Sequence, residues 1–135
     1  MKVVIDTCVV IGHFHLQDAN CSQALHALRR KGHQMVVCKK LLDEYRGILC
    51  RSNKQMYSVI DTILMTTLPI DLMVKYHDPK VRIEFGPPED RFHMQLAIDS
   101  QASYHVSRDK GVLSEAKNMR KYNVEEVSPN EYLTH

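Results

Sequence analysis

Short apolar runs alternate with stretches of helical periodicity along the whole chain. Val3-Val4-Ile5 is too short for a helix and stops at Asp6-Thr7, so it reads as a strand buried on both faces of a parallel sheet. A helix follows over about residues 20–31, with Ala24, Leu25 and Leu28 on one face and Gly32 as its stop. Met35-Val36-Val37-Cys38 repeats the strand pattern, and residues 39–49 turn helical through Leu41, Leu42, Tyr45, Ile48 and Leu49. Met56, Val59, Ile60, Ile63 and Leu64 predict another helix over 55–67. Residues 68–89 carry Pro69, Pro79, Gly86, Pro87 and Pro88, and predict loops with one or two short strands. Pro88-Glu89-Asp90 opens a helix to about residue 103, with Phe92, Leu96 and Ala97 facing inward. Tyr104-His105-Val106-Ser107 is a brief strand, 109–119 a helix and 123–127 a last strand. Ser128-Pro129-Asn130-Glu131 then starts a short helix, with Ser128 as cap, Pro129 in its first turn and Glu131 three residues on.

Short buried strands alternating with helices predict a single α/β domain over residues 1–135. The expected form is a three-layer α/β/α sandwich around a central, mostly parallel, Rossmann-like sheet. Ligands of such sheets bind beyond the carboxyl ends of the strands. A chain of 135 residues, 44% hydrophobic and 25% charged, is long enough for one core and too apolar to be disordered. Its 18 Lys+Arg against 16 Asp+Glu leave +2, which excludes a strongly basic nucleic-acid coat and a long acidic tail. No apolar run approaches membrane-spanning length, and the first acid comes too early for a signal peptide, so no membrane association and a cytoplasmic location are expected. Cys8, Cys21, Cys38 and Cys50 form no C-x-x-C pair and read as free, mostly buried thiols. The eight histidines follow no repeated spacing and are expected to be solvent-facing or satisfied in the core. His13-Phe14-His15, with Cys21 beyond it, is the nearest approach to a zinc pattern.

Four acids stand where that fold would gather ligands. Asp6 ends the first strand directly, and Asp109 follows the Tyr104–Val106 strand closely. Glu44 lies one and a half turns into the helix after the second strand, and Asp90 starts the helix before the Tyr104 strand. Carboxylates crowded into one crevice raise one another's pKa, a cost that divalent cations remove, and hard oxygen ligands suit Mg²⁺ or Mn²⁺. Taken singly, Asp6, Asp90 and Asp109 also fit helix caps or acidic first turns, and Glu44 a solvated helix face.

Four segments resemble those of the PIN domain family of metal-dependent ribonucleases, in the branch of toxin components of toxin–antitoxin pairs. They are the segment from Val3 through Asp6-Thr7-Cys8 to Ile11; the segment from Val37 through Leu41-Leu42-Asp43-Glu44-Tyr45 to Arg51; Glu89-Asp90-Arg91-Phe92 with Leu96-Ala97 and Ala102 through Ser107-Arg108-Asp109; and Val124 through Ser128-Pro129-Asn130-Glu131-Tyr132-Leu133. The resemblance implies metal-binding, catalytic acids at Asp6, Glu44, Asp90 and Asp109, with Ser107 supporting the metal or its water. It further implies Mg²⁺- or Mn²⁺-dependent cleavage of single-stranded RNA, a possible antitoxin protein and a possible homodimer. Cys8 stands where the family usually has Asn, and Arg108 where this branch often has Gly. Thiol is a poor partner for Mg²⁺, so a softer metal or a lost support contact is implied at Cys8.

RNA approaching an acidic hole needs cations on its rim, and Lys39, Lys40, Arg46, Arg91 and Arg108 are the candidates, with Arg51 on the Glu44 helix and Lys75, Lys80 and Arg82 in the middle stretch. Tyr45 is expected in the core. The competing reading inside this fold is a non-catalytic PIN-like module that holds RNA or a protein partner. A phosphotransfer protein with Asp6 as nucleophile would want a second Asp where Cys8 stands, and no cysteine begins the Cys-x5-Arg loop of a thiol phosphatase.

Overall fold

The computed structural model describes residues 1–14, 18–49 and 75–135. The helix expected over 55–67, together with His15, Cys50 and Arg51, lies outside the described residues. The elements in chain order are β1 (Lys2–Ile5), α1 (Thr7–Phe14), α2 (Ala19–Arg30), β2 (Gln34–Val37), α3 (Lys39–Leu49) and β3 (Lys75–Tyr76). A 3₁₀ turn (Pro88–Asp90) then leads into α4 (Arg91–Asp99) and β4 (Tyr104–Val106). The chain finishes with α5 (Lys110–Leu113), α6 (Ala116–Arg120), β5 (Glu125–Val127) and α7 (Pro129–Leu133).

The strands form one sheet in the order β3-β2-β1-β4-β5, and every pairing is parallel. Val3, Val4 and Ile5 of the central strand are fully buried, so helices cover both faces and the sandwich is the predicted one. Helix α4 lies across β1, β2 and β4; α1 packs on α2 and α3, and α2 on α7. No helix among the described residues is long and apolar enough to cross a membrane.

Strand boundaries follow the apolar runs closely, and helix ends follow turn chemistry. Asp18 caps α2 by accepting from the Cys21 amide at 3.0 Å, and Gly32, at φ +67°, closes its other end. Ser128 and Glu131 form the capping box of α7, with Pro129 in the first turn. Two helices are shorter than their periodicity. Helix α4 stops at Asp99, not near residue 103, because Gln101 adopts φ 58° and the Ala102 amide bonds back to Ala97. The expected 109–119 helix is two pieces. Ser114 Oγ donates to the Gly111 carbonyl at 2.7 Å and competes for the helical ladder where it breaks. Among the described cysteines Cys21 and Cys38 are buried and Cys8 half-buried, all three as free thiols.

Candidate active site

Strand alternation explains what faces what. Val4, His105 and Glu126 are register partners on β1, β4 and β5, so they share one face of the sheet. Two residues on, Asp6 and Ser107 return to that face just past the strand ends. Helix α4 covers this face, and its first turns bring Asp90 and His93, three residues apart, onto the same side. The acids therefore meet at the carboxyl end of the sheet, between β1, β4 and the start of α4.

Asp6 is buried, with its amide donating to the Val106 carbonyl at 2.8 Å. Its carboxylate turns away from α1: Ser107 Oγ donates to Oδ2 at 2.6 Å, and His93 Nε2 lies 3.4 Å from Oδ1. Asp90 starts α4 but makes no side-chain cap bond; its Oδ1 also lies 3.4 Å from His93 Nε2. The His93 imidazole beside it holds the Asp90 carboxyl below the usual range, against the opposing pull of burial, and Asp109 acts in the same direction as His93. Glu44 reaches the site through Thr7, whose Oγ1 donates to Oε1 at 2.5 Å, and the fully buried Tyr45 donates its hydroxyl to the Ile5 carbonyl. These two bonds fix α3 against the end of β1. Asp109 is exposed and caps α5 through Oδ1, while its amide donates to Ser107 Oγ at 3.0 Å. Cap and cluster are thus compatible for Asp109, and Ser107 ties it to Asp6.

Cys8 also joins this cluster. Its Sγ accepts the Arg108 amide at 3.2 Å and lies 3.6 Å from Ser107 Oγ. Burial and, next, the Asp6 charge push the thiol up to about 12, so it stays protonated at neutral pH. The thiol thus braces the Ser107-Arg108-Asp109 turn.

Sequence reasoning did not single out His93, His105 and Glu126. His93 Nδ1 and His105 Nε2 are 2.9 Å apart, and His105 Nδ1 lies 2.6 and 2.8 Å from the two Glu126 oxygens. Burial lowers the pKa of His93, but the nearby Asp90 carboxylate and the charges of Asp6 and Glu44 outweigh it and raise it. Burial, followed by the charge of His93, lowers His105 to about 3. The available signal was polarity inside strands whose neighbours are apolar.

Several cations near the site are already engaged, and others line a groove. Lys39 pairs with Asp43 at 3.0 Å and Arg46 with the same carboxylate at 3.5 Å. Arg91 Nε donates to the Gly86 carbonyl at 3.0 Å, and Arg108 reaches 3.7 Å from Asp18 across α1. Lys39 and Lys40 also join Lys80 and Arg82 around a groove of about 740 Å³ lined in part by Phe92 and Gln95. The Lys40 ammonium lies over the Phe92 ring, 4.6 Å from its centre. Asp43 and Asp78 also line the groove, and Phe92 and Gln95 bring α4 to it.

The donor set fits a divalent cation. Two carboxylates converge on one buried ring nitrogen that has no aligned hydrogen-bond partner, two more acids connect through Thr7 and Ser107, and solvent has access at Asp109.

Residues 2–111 match the family model of the PIN domain. The structure of VapBC2 from Rickettsia felis, bound to a DNA fragment from their promoter, is similar with a TM-score of 0.63 at 13% identity, covering 93% of this chain and 98% of that one. A PilT N-terminus domain protein from the hyperthermophilic archaeon Sulfolobus solfataricus P2 aligns at a TM-score of 0.48 and 12% identity, covering 99% of this chain and 92% of that one. No curated protein matches the sequence. With more than three-quarters of its length inside the family model, and with the parallel sheet and strand-end acids in place, the chain belongs to the PIN domain family, whose members are generally nucleases.

Proposed function

We propose that this chain is a metal-dependent endoribonuclease that cuts single-stranded RNA at the Asp6–Asp90 crevice. The observation that carries the reading is the convergence of Asp6 and Asp90 on one buried point, with Glu44 and Asp109 tied to them through Thr7 and Ser107. Asp6 and Asp90 would hold Mg²⁺ or Mn²⁺ directly, with Asp109 and Glu44 as direct or water-mediated ligands. When bound, the metal would activate a water and neutralise the charge that develops on the phosphate oxygens.

The protein's own residues prepare that site. Ser107 holds the Asp6 carboxylate at a fixed angle and receives the Asp109 amide, so two acids from different elements are set by one hydroxyl. Thr7 fixes Glu44 in the same way. Lys39, Lys40, Lys80 and Arg82 would take up the phosphates of the strand leading into the crevice. A flexible single strand can follow that groove past Phe92, whereas a stiff duplex cannot bend into it.

The toxin role, with an antitoxin partner and a homodimer, rests on the family branch that the motifs resemble and on the VapBC2 likeness. A cytoplasmic site of action belongs to the same reading.

Labelled single-stranded RNA incubated with Mg²⁺ or Mn²⁺ tests the proposal. Cleavage is expected in the native chain, with loss of about 100-fold or more in Asp6→Asn and Asp109→Asn, and abolition by EDTA. Cleavage that survives both substitutions, or EDTA, overturns it. A native chain that binds the RNA without cutting it is instead the non-catalytic module.

A further inference from the structure

The proposed reaction makes no use of the chain Glu126–His105–His93, yet that chain is costly. Three titratable side chains occupy the space between sheet and α4 where apolar ones would pack, and His93 and His105 are fully buried. Glu126 grips His105 Nδ1 with both oxygens, and His105 Nε2 meets His93 Nδ1 at 2.9 Å. One polar atom of this buried row is left over. His93 Nε2 has no aligned hydrogen bond and points between Asp6 Oδ1 and Asp90 Oδ1, at 3.4 Å from each.

A histidinium paired with carboxylates closes to about 2.7–2.9 Å, which neither contact reaches. Two donor atoms that each sit about 2.0–2.1 Å from one ion stand about 3.4 Å apart in a tetrahedral arrangement and about 3.0 Å in an octahedral one. The observed 3.4 Å is longer than a closed ion pair and lies at the upper end of the spacing that co-ligands of one ion take. An imidazole whose rear nitrogen is tied through hydrogen bonds to a carboxylate is also how proteins aim a histidine at a metal. Asp6, His93 and His105 offer ligand atoms within 4.8 Å of one another, but the His105 nitrogens already face Glu126 and His93, which places it behind the ligand.

On the metal centre proposed above, we infer that His93 Nε2 is a nitrogen ligand to the ion held by Asp6 and Asp90, with His105 and Glu126 as positioning residues, and that the site prefers a first-row transition dication such as Mn²⁺ over Mg²⁺. In that state His93 Nδ1–H donates to His105 Nε2, and His105 Nδ1–H donates to a carboxyl oxygen of Glu126. Imidazole nitrogen favours transition ions, whereas Mg²⁺ keeps to oxygen ligands and water. Asp6 and Asp90 alone would not separate the two ions in this way.

Pulsed electron paramagnetic resonance of Mn²⁺ bound to the full chain reads nitrogen ligation directly, and calorimetric titration with Mn²⁺ and Mg²⁺ reads the preference. A directly bound imidazole signature is expected in the native chain. In His93→Gln that signature disappears and Mn²⁺ binding weakens about 10–100-fold, with Mg²⁺ affected far less. Glu126→Gln keeps the signature and weakens Mn²⁺ binding to a smaller extent. Mn²⁺ bound without nitrogen modulation in the native chain overturns this inference and leaves the carboxylate metal centre standing, because the Asp6→Asn variant then still separates bound from unbound metal. A native chain that takes up neither ion overturns the metal centre itself. Should His93→Gln fail to fold, as circular dichroism would show, the native spectrum decides alone.

Discussion

Glu126 lies in a three-residue strand with 6% of its surface exposed, and burial, followed by the Asp6 charge, pushes its pKa up to about 10. Glu131 adds to that rise, and His93 opposes it. Hydrogen-bonded His105 moves the other way, to about 3. A carboxyl raised from 4.5 favours folding fully below that value and loses its contribution as pH rises toward 10. A histidine lowered from 6.5 contributes fully above that value and loses its share as pH falls toward 3. Above about pH 7 the His105 contribution is on its plateau, and comparing Glu126→Gln with the native chain cancels the slope that the raised His93 adds, leaving that of Glu126. In EDTA, Glu126→Gln should gain stability relative to the native chain by roughly 1 kcal/mol per pH unit between about pH 7 and pH 9. Urea denaturation at several pH values measures it, and a difference that stays flat would show Glu126 ionised in the fold. Asp6 and Asp109 were legible in the sequence because one ends an apolar run and the other follows one closely, a position that is itself a signal. His105 and Glu126 were not, since three-residue strands such as Tyr104–Val106 are too short for alternation to reveal which face a polar residue occupies.

Three helices end on a residue in the left-handed region: Gly32 after α2, Gln101 after α4 and Asn123 after α6. In each case the next amide reaches back five residues, from His33 to Leu28, from Ala102 to Ala97 and from Val124 to Met119. Glycine and asparagine adopt this conformation at little cost, whereas the Gln101 Cβ crowds its own backbone. Gln101 is exposed, so Gln101→Gly should raise stability by about 0.5–1 kcal/mol, read from the denaturation midpoint at unchanged slope. An unchanged or lower midpoint would mean that the side chain contributes something the backbone does not show. The same residue explains why Gly32 announced the end of α2 while the end of α4 was placed too late. Inward positions Phe92, Leu96 and Ala97 continue smoothly to Ala102, and nothing about glutamine marks a stop. The layered, parallel architecture, by contrast, followed from the apolar runs.

Across the whole molecule the small net charge of +2 hides a separation of signs. Asp6, Glu44, Asp90 and Asp109 gather at one end of the sheet, and Lys39, Lys40, Lys80 and Arg82 line the adjoining groove. Each groove cation replaced by alanine should lower the salt dependence of single-stranded RNA binding by roughly 0.7 in log–log slope, without sequence preference. Titrations across a salt series check this, and a slope unchanged by all four replacements would place the RNA elsewhere. The strand order carries one more consequence, for assembly in time. Central β1 is flanked on one side by β2, close behind it in the chain, and on the other by β4, near the far end. Asp6 and the Ser107 hydroxyl that orients it are 101 residues apart in sequence. Closing so long a loop comes late in folding, because its entropy must be met before the contact can offset it. A chain still emerging from the ribosome therefore holds Asp6 before the serine that aims it and before Asp109, and the crevice takes shape only once β4 and the turn after it have formed.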